Sequence, residues 1–230
     1  MSIRTTIAVT VLTAVELATA VTATAGSRPV VVELFTSQGC NSCPPANANF
    51  IGIMDRQNVL ALSFAVTYWD RLGWKDIFGK PEFTARQYAY EPALGESGPF
   101  TPQIVVDGRV SAVGMRRGEI ESLIAAAGEP SSVAVDLSRD RVSIDAGAAP
   151  AGGADVWLVR YQPGVLEVSV ARGENAGRKL PHGHVVRDLV RLGGWTGAKT
   201  AFPITPVDRL KTAVLVQAVN GGPILGAAAE

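Results

Sequence analysis

The chain has 230 residues, with 21 Lys+Arg against 21 Asp+Glu, so its formal net charge is zero, and 47% of it is hydrophobic. That is enough apolar material for one large domain or two small ones. A balanced charge with no single-sign run offers no electrostatic footprint for nucleic acid or an anionic membrane surface.

The first 25 residues have Arg4 near the start, an apolar and threonine-rich run, and "ATA" at 23–25 before Gly26. A basic start, an apolar middle and small residues at −3 and −1 are what signal peptidase reads. Residues 1–25 are therefore expected to be a cleaved signal peptide, and the mature protein to be periplasmic or secreted. Glu16 and seven threonines in that run argue against an uncleaved membrane anchor, and no second apolar stretch is long enough to span. Outside the cytosol a nearby cysteine pair persists as a disulfide, and catalysts of disulfide exchange work there.

"RPVVVELFT" (Arg28–Thr36) is a continuous apolar, β-branched run, the pattern of a buried strand. After the cysteines, "ANANFIGIMDRQ" has the spacing of a helix, and "VLALSFAVTYW" (Val59–Trp69) reads as a second buried strand. An aromatic-rich segment broken by Gly and Pro follows, with a helix from Pro81 to about Tyr90. "QIVVDGRVSAVG" is a hairpin around Asp107-Gly108, the dipeptide that a type I′ turn prefers. "RRGEIESLIAAAG" closes this part as a helix. From about Glu129 the pattern changes to short strands separated by turn signals at Arg139-Asp140, Pro163-Gly164 and Asn220-Gly221-Gly222. "AGAAPAGGA" (Ala146–Ala154) reads as a loose hairpin loop. The expected boundary lies near Gly128–Ser131, separating residues 28–128 from a sandwich-like region at 129–230.

The only two cysteines, Cys40 and Cys43, stand in "GCNSCPPA" between the first strand and the first helix. A cysteine attacks as thiolate, and the positive end of a helix lowers a thiol's pKa. Pro44 and Pro45 suit a first turn, where a missing N–H breaks no intrahelical bond. Cys40 is the expected exposed nucleophile and Cys43 the residue that resolves the mixed disulfide. Metal binding is the alternative. Zinc wants four Cys or His ligands, and only His182 and His184 are available to complete the set. Copper(I) needs just the two thiolates. A purely structural disulfide would close a very short loop and add little stability.

"GPFTPQIVVDG" places Thr101-Pro102 directly before a strand. A strand, a helix-opening Cys-x-x-Cys and a Pro before a late strand together resemble the thioredoxin superfamily. The resemblance implies that Pro102 is cis and packs beside Cys40 and Cys43, and that Thr101 presents backbone to a substrate chain. "VELFTSQGCNSCPPA", "TYWDRLGWKDIFGKPEFTARQYAY", "TPQIVVDG" and "RGENAGRKL" further resemble a family of exported bacterial thioredoxin-like proteins of unestablished function. This covers essentially the mature chain and implies an α/β thioredoxin-like domain followed by an all-β sandwich-like C-terminal domain. Two positions depart from the thioredoxin pattern. Gly39 stands where an aromatic is common, and Leu34 where a buried acid is expected, with Glu33 one position off and thus on the opposite strand face.

"YWDRLGWKD" either caps the core edge or shapes a substrate groove beside the cysteines, with Trp69 and Trp74 as substrate-binding residues. "RGENAGRKL" (Arg172–Leu180) lacks the spacing of a phosphate loop and reads as an ordered turn that packs on the first part of the chain. The two histidines of "HGH" fit a solvated turn, and nothing supports a hydrolase triad. The expected function is exported thiol–disulfide exchange on protein thiols or disulfides, with no cofactor. A copper(I)-binding or metallochaperone module and a non-catalytic interaction protein are the alternatives. Asn41-Ser42 between the cysteines is uncharged and leaves the redox direction open.

Overall fold

Val30–Thr36 (β1) is buried at six of its seven positions, and Val59–Ala65 (β2) at all seven. They pair in parallel from Val30↔Val59 to Thr36↔Ala65. A parallel pair needs a crossover, and Cys43–Ile51 (α1) supplies it. Pro81–Leu94 (α2), Gln103–Val106 (β3), Val110–Ala112 (β4) and Arg117–Ala126 (α3) follow. The computed structural model describes residues 28–127 and 133–230. The expected signal peptide (1–25) and the expected boundary near 128–131 lie outside the described residues.

The remaining strands are Val135–Ser138 (β5), Arg141–Ile144 (β6), Ala154–Ser169 (β7), Lys179–Trp195 (β8), Thr200–Pro203 (β9), Lys211–Ala218 (β10) and Ile224–Ala229 (β11). They do not form a separate sandwich. β8 adds in parallel to the outer edge of β2 at Ser63↔Val185, which joins both parts into one eight-stranded mixed sheet, β11-β10-β7-β8-β2-β1-β3-β4. β5, β6 and β9 make a second, three-stranded antiparallel sheet. The expected α/β thioredoxin-like domain followed by an all-β sandwich-like domain is therefore corrected. The chain is mostly β, with α-helices of only 9, 14 and 10 residues among the described residues. The physical reason is an edge: a bare β2 edge would be an open template, and the C-terminal strands cover it.

Strand alternation sorts the core into faces. Val32 and Leu34 of β1 meet Ala46 and Phe50 of α1 and Ile120 and Ile124 of α3. Val31 and Phe35 face the other way, into a cluster with Phe83 and Tyr90 of α2 and with Val159, Val186 and Leu215 of β7, β8 and β10. The three-stranded sheet covers β7 and β10 through Val142, Ile144, Val156 and Val214, around Trp195.

Some local readings hold and others shift. Asp107 and Gly108 both have positive φ (51° and 64°), and Arg109 N–H closes on Val106 O at 3.0 Å, as the Asp-Gly hairpin requires. α2 runs past Tyr90 to Leu94 with Pro92 inside it. Pro163-Gly164 is no hairpin turn. It lies within β7 at a break in register between Gln162 and Val165, a bulge that lets one long strand continue.

One charged pair lies inside this apolar packing. Arg86 of α2 meets Glu33 of β1 through Nε–Oε1 at 2.6 Å and Nη2–Oε2 at 3.1 Å, with side-chain exposures of 4% and 0%. Its Nη1 donates to Gln217 Oε1 of β10 at 3.0 Å, and the Tyr90 hydroxyl donates to Glu33 Oε2. Breaking a buried pair on one side leaves an uncompensated charge, which costs about 3–5 kcal/mol. Arg86→Ala is expected to lose about that much stability in urea unfolding. Glu33→Leu/Arg86→Met, which removes both charges, should recover much of the loss.

Candidate functional site

Cys40 and Cys43 are joined in a disulfide with a Cα–Cα distance of 5.4 Å. The segment reaching them folds as two tight turns. Cys40 N–H donates to Ser37 O at 3.2 Å, and Cys43 N–H donates to Cys40 O at 3.3 Å. α1 begins at Cys43, with Ser42 at its N-cap. The expected exposed nucleophile is not found: Cys40 is 0% exposed and Cys43 1%. The helix end also differs from the expected donor-rich one. Pro44 and Pro45 carry no N–H, so the first turn keeps few donors for a thiolate.

Thr101-Pro102 is a cis peptide bond immediately before β3. Ser42 Oγ lies 3.3 Å from Cys40 Sγ and 3.4 Å from Thr101 O, so its one hydroxyl hydrogen can serve either. The half-buried Trp69 donates its indole N–H to Thr101 Oγ1 at 2.7 Å. Trp74 donates its indole N–H to Gln38 Oε1 at 2.9 Å. The structure thus brings together all six residues singled out in the sequence: Cys40, Cys43, Thr101, Pro102, Trp69 and Trp74. Gly39 has a steric reason, because a Cβ there would lie 3.1 Å from Trp69 Cβ. Trp69 occupies the room an aromatic at position 39 would need.

Three residues of the site escaped the sequence reading. Gln38, fully buried, holds Trp74 through its side chain. Asp76, also buried, accepts from Gln38 N–H at 2.7 Å and from Phe78 N–H at 2.8 Å. Asn175, fully buried, donates from Nδ2 to Gln38 O at 3.0 Å and to Cys40 O at 2.8 Å. Asn175 sits in "RGENAGRKL", so that turn does pack on the first part of the chain, and it does so at the cysteines. Its available signal was a polar, glycine-flanked turn between two long strands.

Glu33 is not an acid beside the cysteines. It shares the Val31 and Phe35 face with α2, whereas Leu34 at the expected position faces α1. The histidines have separate partners. His182 is buried, edge-on to Phe78, and His184 Nδ1 lies 3.2 Å from Ala61 O. Among the described residues no three His, Cys, Asp or Glu side chains converge as a metal group, and no helix is long and apolar enough to cross a membrane.

A mostly β chain with a disulfide and a cis proline at one end of its central strands matches a known family. Residues 31–217 match the model described as "Protein of unknown function (DUF1223)", and the chain belongs to that family. It is similar to an Agrobacterium tumefaciens protein solved by X-ray crystallography, with 32% identity over 88% of this chain and 94% of that one, and a TM-score of 0.73. It is also similar to HBP35 of Porphyromonas gingivalis, with a TM-score of 0.61 over 89% of this chain and 75% of that one. The identity there is 15%, which shows a likeness of fold alone. No curated protein matches the chain.

Two buried groups on this side of the molecule titrate in opposite senses. Burial pushes the Asp76 carboxyl up from 3.8 to about 6, against the N–H groups of Gln38 and Phe78 that favour its charged form. Burial pushes His182 down from 6.5 to about 4. As pH falls, folded Asp76 takes its proton before the unfolded chain does, so its contribution to stability grows from about pH 6 toward 4. For His182 the unfolded chain takes the proton first, so its contribution shrinks over the same window. Each amounts to about 3 kcal/mol, so they largely cancel in the native protein. Asp76→Asn is expected to lose stability on acidification from pH 6.5 to 4, and His182→Gln to gain it. Urea midpoints across that range check both slopes.

Proposed function

We propose that the chain is an exported thiol–disulfide oxidoreductase, periplasmic or secreted, acting on protein thiols or disulfides through Cys40 and Cys43. The observation that carries this reading is the placement of the Cys40–Cys43 disulfide beside the cis Thr101-Pro102 bond, with Ser42 between them. The likeness of this constellation to sites of the thioredoxin superfamily supports the reading. That likeness concerns the site and not the fold class of the chain.

In the reducing direction the Cys40 thiolate attacks a partner disulfide, forming a Cys40–partner disulfide and releasing one partner thiolate. Cys43 then attacks Cys40 Sγ, releasing the second partner thiolate and closing the Cys40–Cys43 disulfide. The oxidising direction is the reverse, and two electrons move in either case. Ser42 Oγ is placed to donate a hydrogen bond to a thiolate on Cys40. Trp69 and Trp74 act as positioning residues, one on Thr101 and the other on Gln38. With two prolines in the first turn of α1, helix-end stabilisation of a thiolate is weak, which favours the oxidised pair at rest.

Cys43→Ala is expected to trap partners as mixed disulfides on Cys40, visible as adducts that a reductant dissolves and that Cys40→Ala/Cys43→Ala lacks. Absence of any adduct from cells exporting the variant would sink the reading. Tight binding of Cu(I) to the reduced protein, lost in either single cysteine variant, would favour the copper module instead. The reduction potential of the pair, compared with that of its compartment, assigns the direction.

A further inference from the structure

The outer parts of β7 and β8 form an arm. After the register break at Gln162 and Val165, the hairpin packs along α1. The packing is tight: a Cβ on Gly183 would stand 2.6 Å from Met54 Sδ and 2.9 Å from Ile51 Cγ1. Farther out, Leu166 and Val168 pack with Trp74 and Phe78 in a small satellite cluster. The tip then reaches the cysteine loop. Asn175 spends both amide hydrogens there, on the carbonyls of Gln38 and Cys40, and its Oδ1 accepts from Arg178 Nη1 at 2.7 Å. Beside it, Glu174 Oε2 accepts from Asn41 N–H at 3.2 Å. Three main-chain groups flanking the nucleophile are therefore satisfied by the protein's own arm, and the cysteine beneath it has no exposed surface.

We propose that the tip of the β7–β8 arm is an internal occupant of the exchange site, latched by Asn175, and that exchange proceeds only from the state in which the tip has lifted. This rests on the reading of Cys40–Cys43 as an exchange pair. An attacking thiolate must reach a sulfur in line with the disulfide, and neither sulfur is reachable with the tip seated. Lifting the tip takes the partners away from the carbonyls of Gln38 and Cys40 and from the N–H of Asn41, and water or an incoming chain must replace them. A partner able to hold the site open is thus an extended polypeptide segment that returns a donor to those carbonyls and an acceptor to that N–H. Glu174 adds a sign. A thiolate formed on Cys40 stands one residue from the main-chain group that Glu174 caps, so reduction places like charges together and favours the lifted state.

The test uses the oxidised full chain and dithiothreitol. One dithiothreitol thiolate attacks a cysteine sulfur and forms a mixed disulfide. Its second thiol displaces it, leaving cyclic oxidised dithiothreitol and two protein thiols, which are counted by maleimide mass shift. Asn175→Ala removes two hydrogen bonds from the latch, so its pseudo-first-order reduction rate is expected to rise by about tenfold or more. Val142→Ala destabilises the molecule at the three-stranded sheet, away from the arm, and is expected to leave the rate within about twofold of the native value if opening is local. A native rate for Asn175→Ala, or equal acceleration by Val142→Ala, would overturn the proposal. Should Asn175→Ala fail to fold, a variant with residues 171–178 replaced by Asn-Gly takes its place, and a native rate there overturns it equally. Rapid reduction of Asn175→Ala with no partner adduct on Cys43→Ala would uphold the arm as a cover and remove the exchange reading alone.

Discussion

A bidentate ion pair sealed away from water, Arg86 with Glu33, holds helix α2 against the sheet, and the candidate site hangs on that helix. Buried charges are tolerated only when paired and hydrogen-bonded, and here Gln217 and the Tyr90 hydroxyl complete the set. The guanidinium also lies over the rings of Phe64, Tyr90 and Trp157. With α2 so anchored, Thr84 accepts the Thr67 N–H at 2.9 Å and fixes the root of the loop that carries Trp69. Gln87, one residue beyond Arg86, donates to Phe100 O at 2.8 Å and holds the approach to Thr101-Pro102. The pair links β1, α2 and β10, so it is also where the early and late strands of the sheet are tied through side chains.

The site is assembled less from charged side chains than from main-chain groups with assigned partners. Asp76 holds the Gln38 N–H, Asn175 the carbonyls of Gln38 and Cys40, and the Ser42 hydroxyl lies within reach of Cys40 Sγ or Thr101 O. An arrangement of this kind holds two sulfurs close together with few N–H donors aimed at them, since the adjacent helix turn has prolines where donors would stand. On the exchange reading proposed above, access to the sulfurs then counts for more than stabilisation of a thiolate.

Local features were legible in the sequence wherever one short-range rule dominates. β1 and β2 follow from their apolar runs, the Asp107-Gly108 hairpin from positive-φ preference, and the meeting of Cys40, Cys43, Thr101 and Pro102 from motif resemblance. The fold class was not legible. Whether the strands after residue 132 build their own sandwich or extend an existing sheet depends on one parallel contact, Ser63 with Val185, and pairing between residues so far apart leaves no periodic trace. Pro163-Gly164 misleads for a related reason, since a bulge and a turn use the same residues. Gln38, Asp76 and Asn175 were missed because a buried polar residue is recognised by its partners, and those lie on other elements. Glu33 is one position from an expected acid, and that single step sends it to the opposite face and a structural role.

The partner of the Cys40 carbonyl, Asn175, lies 135 residues downstream. A chain emerging at about 5–20 residues per second therefore presents its cysteines on the order of ten seconds before the strand that will cover them exists. During that interval the cysteines have no arm above them, and only once β7 and β8 are complete can Asn175 seat on the carbonyls of Gln38 and Cys40. The cover over the cysteine pair is thus the last part of the site to be made, and the early half of the chain waits on the late half to finish it.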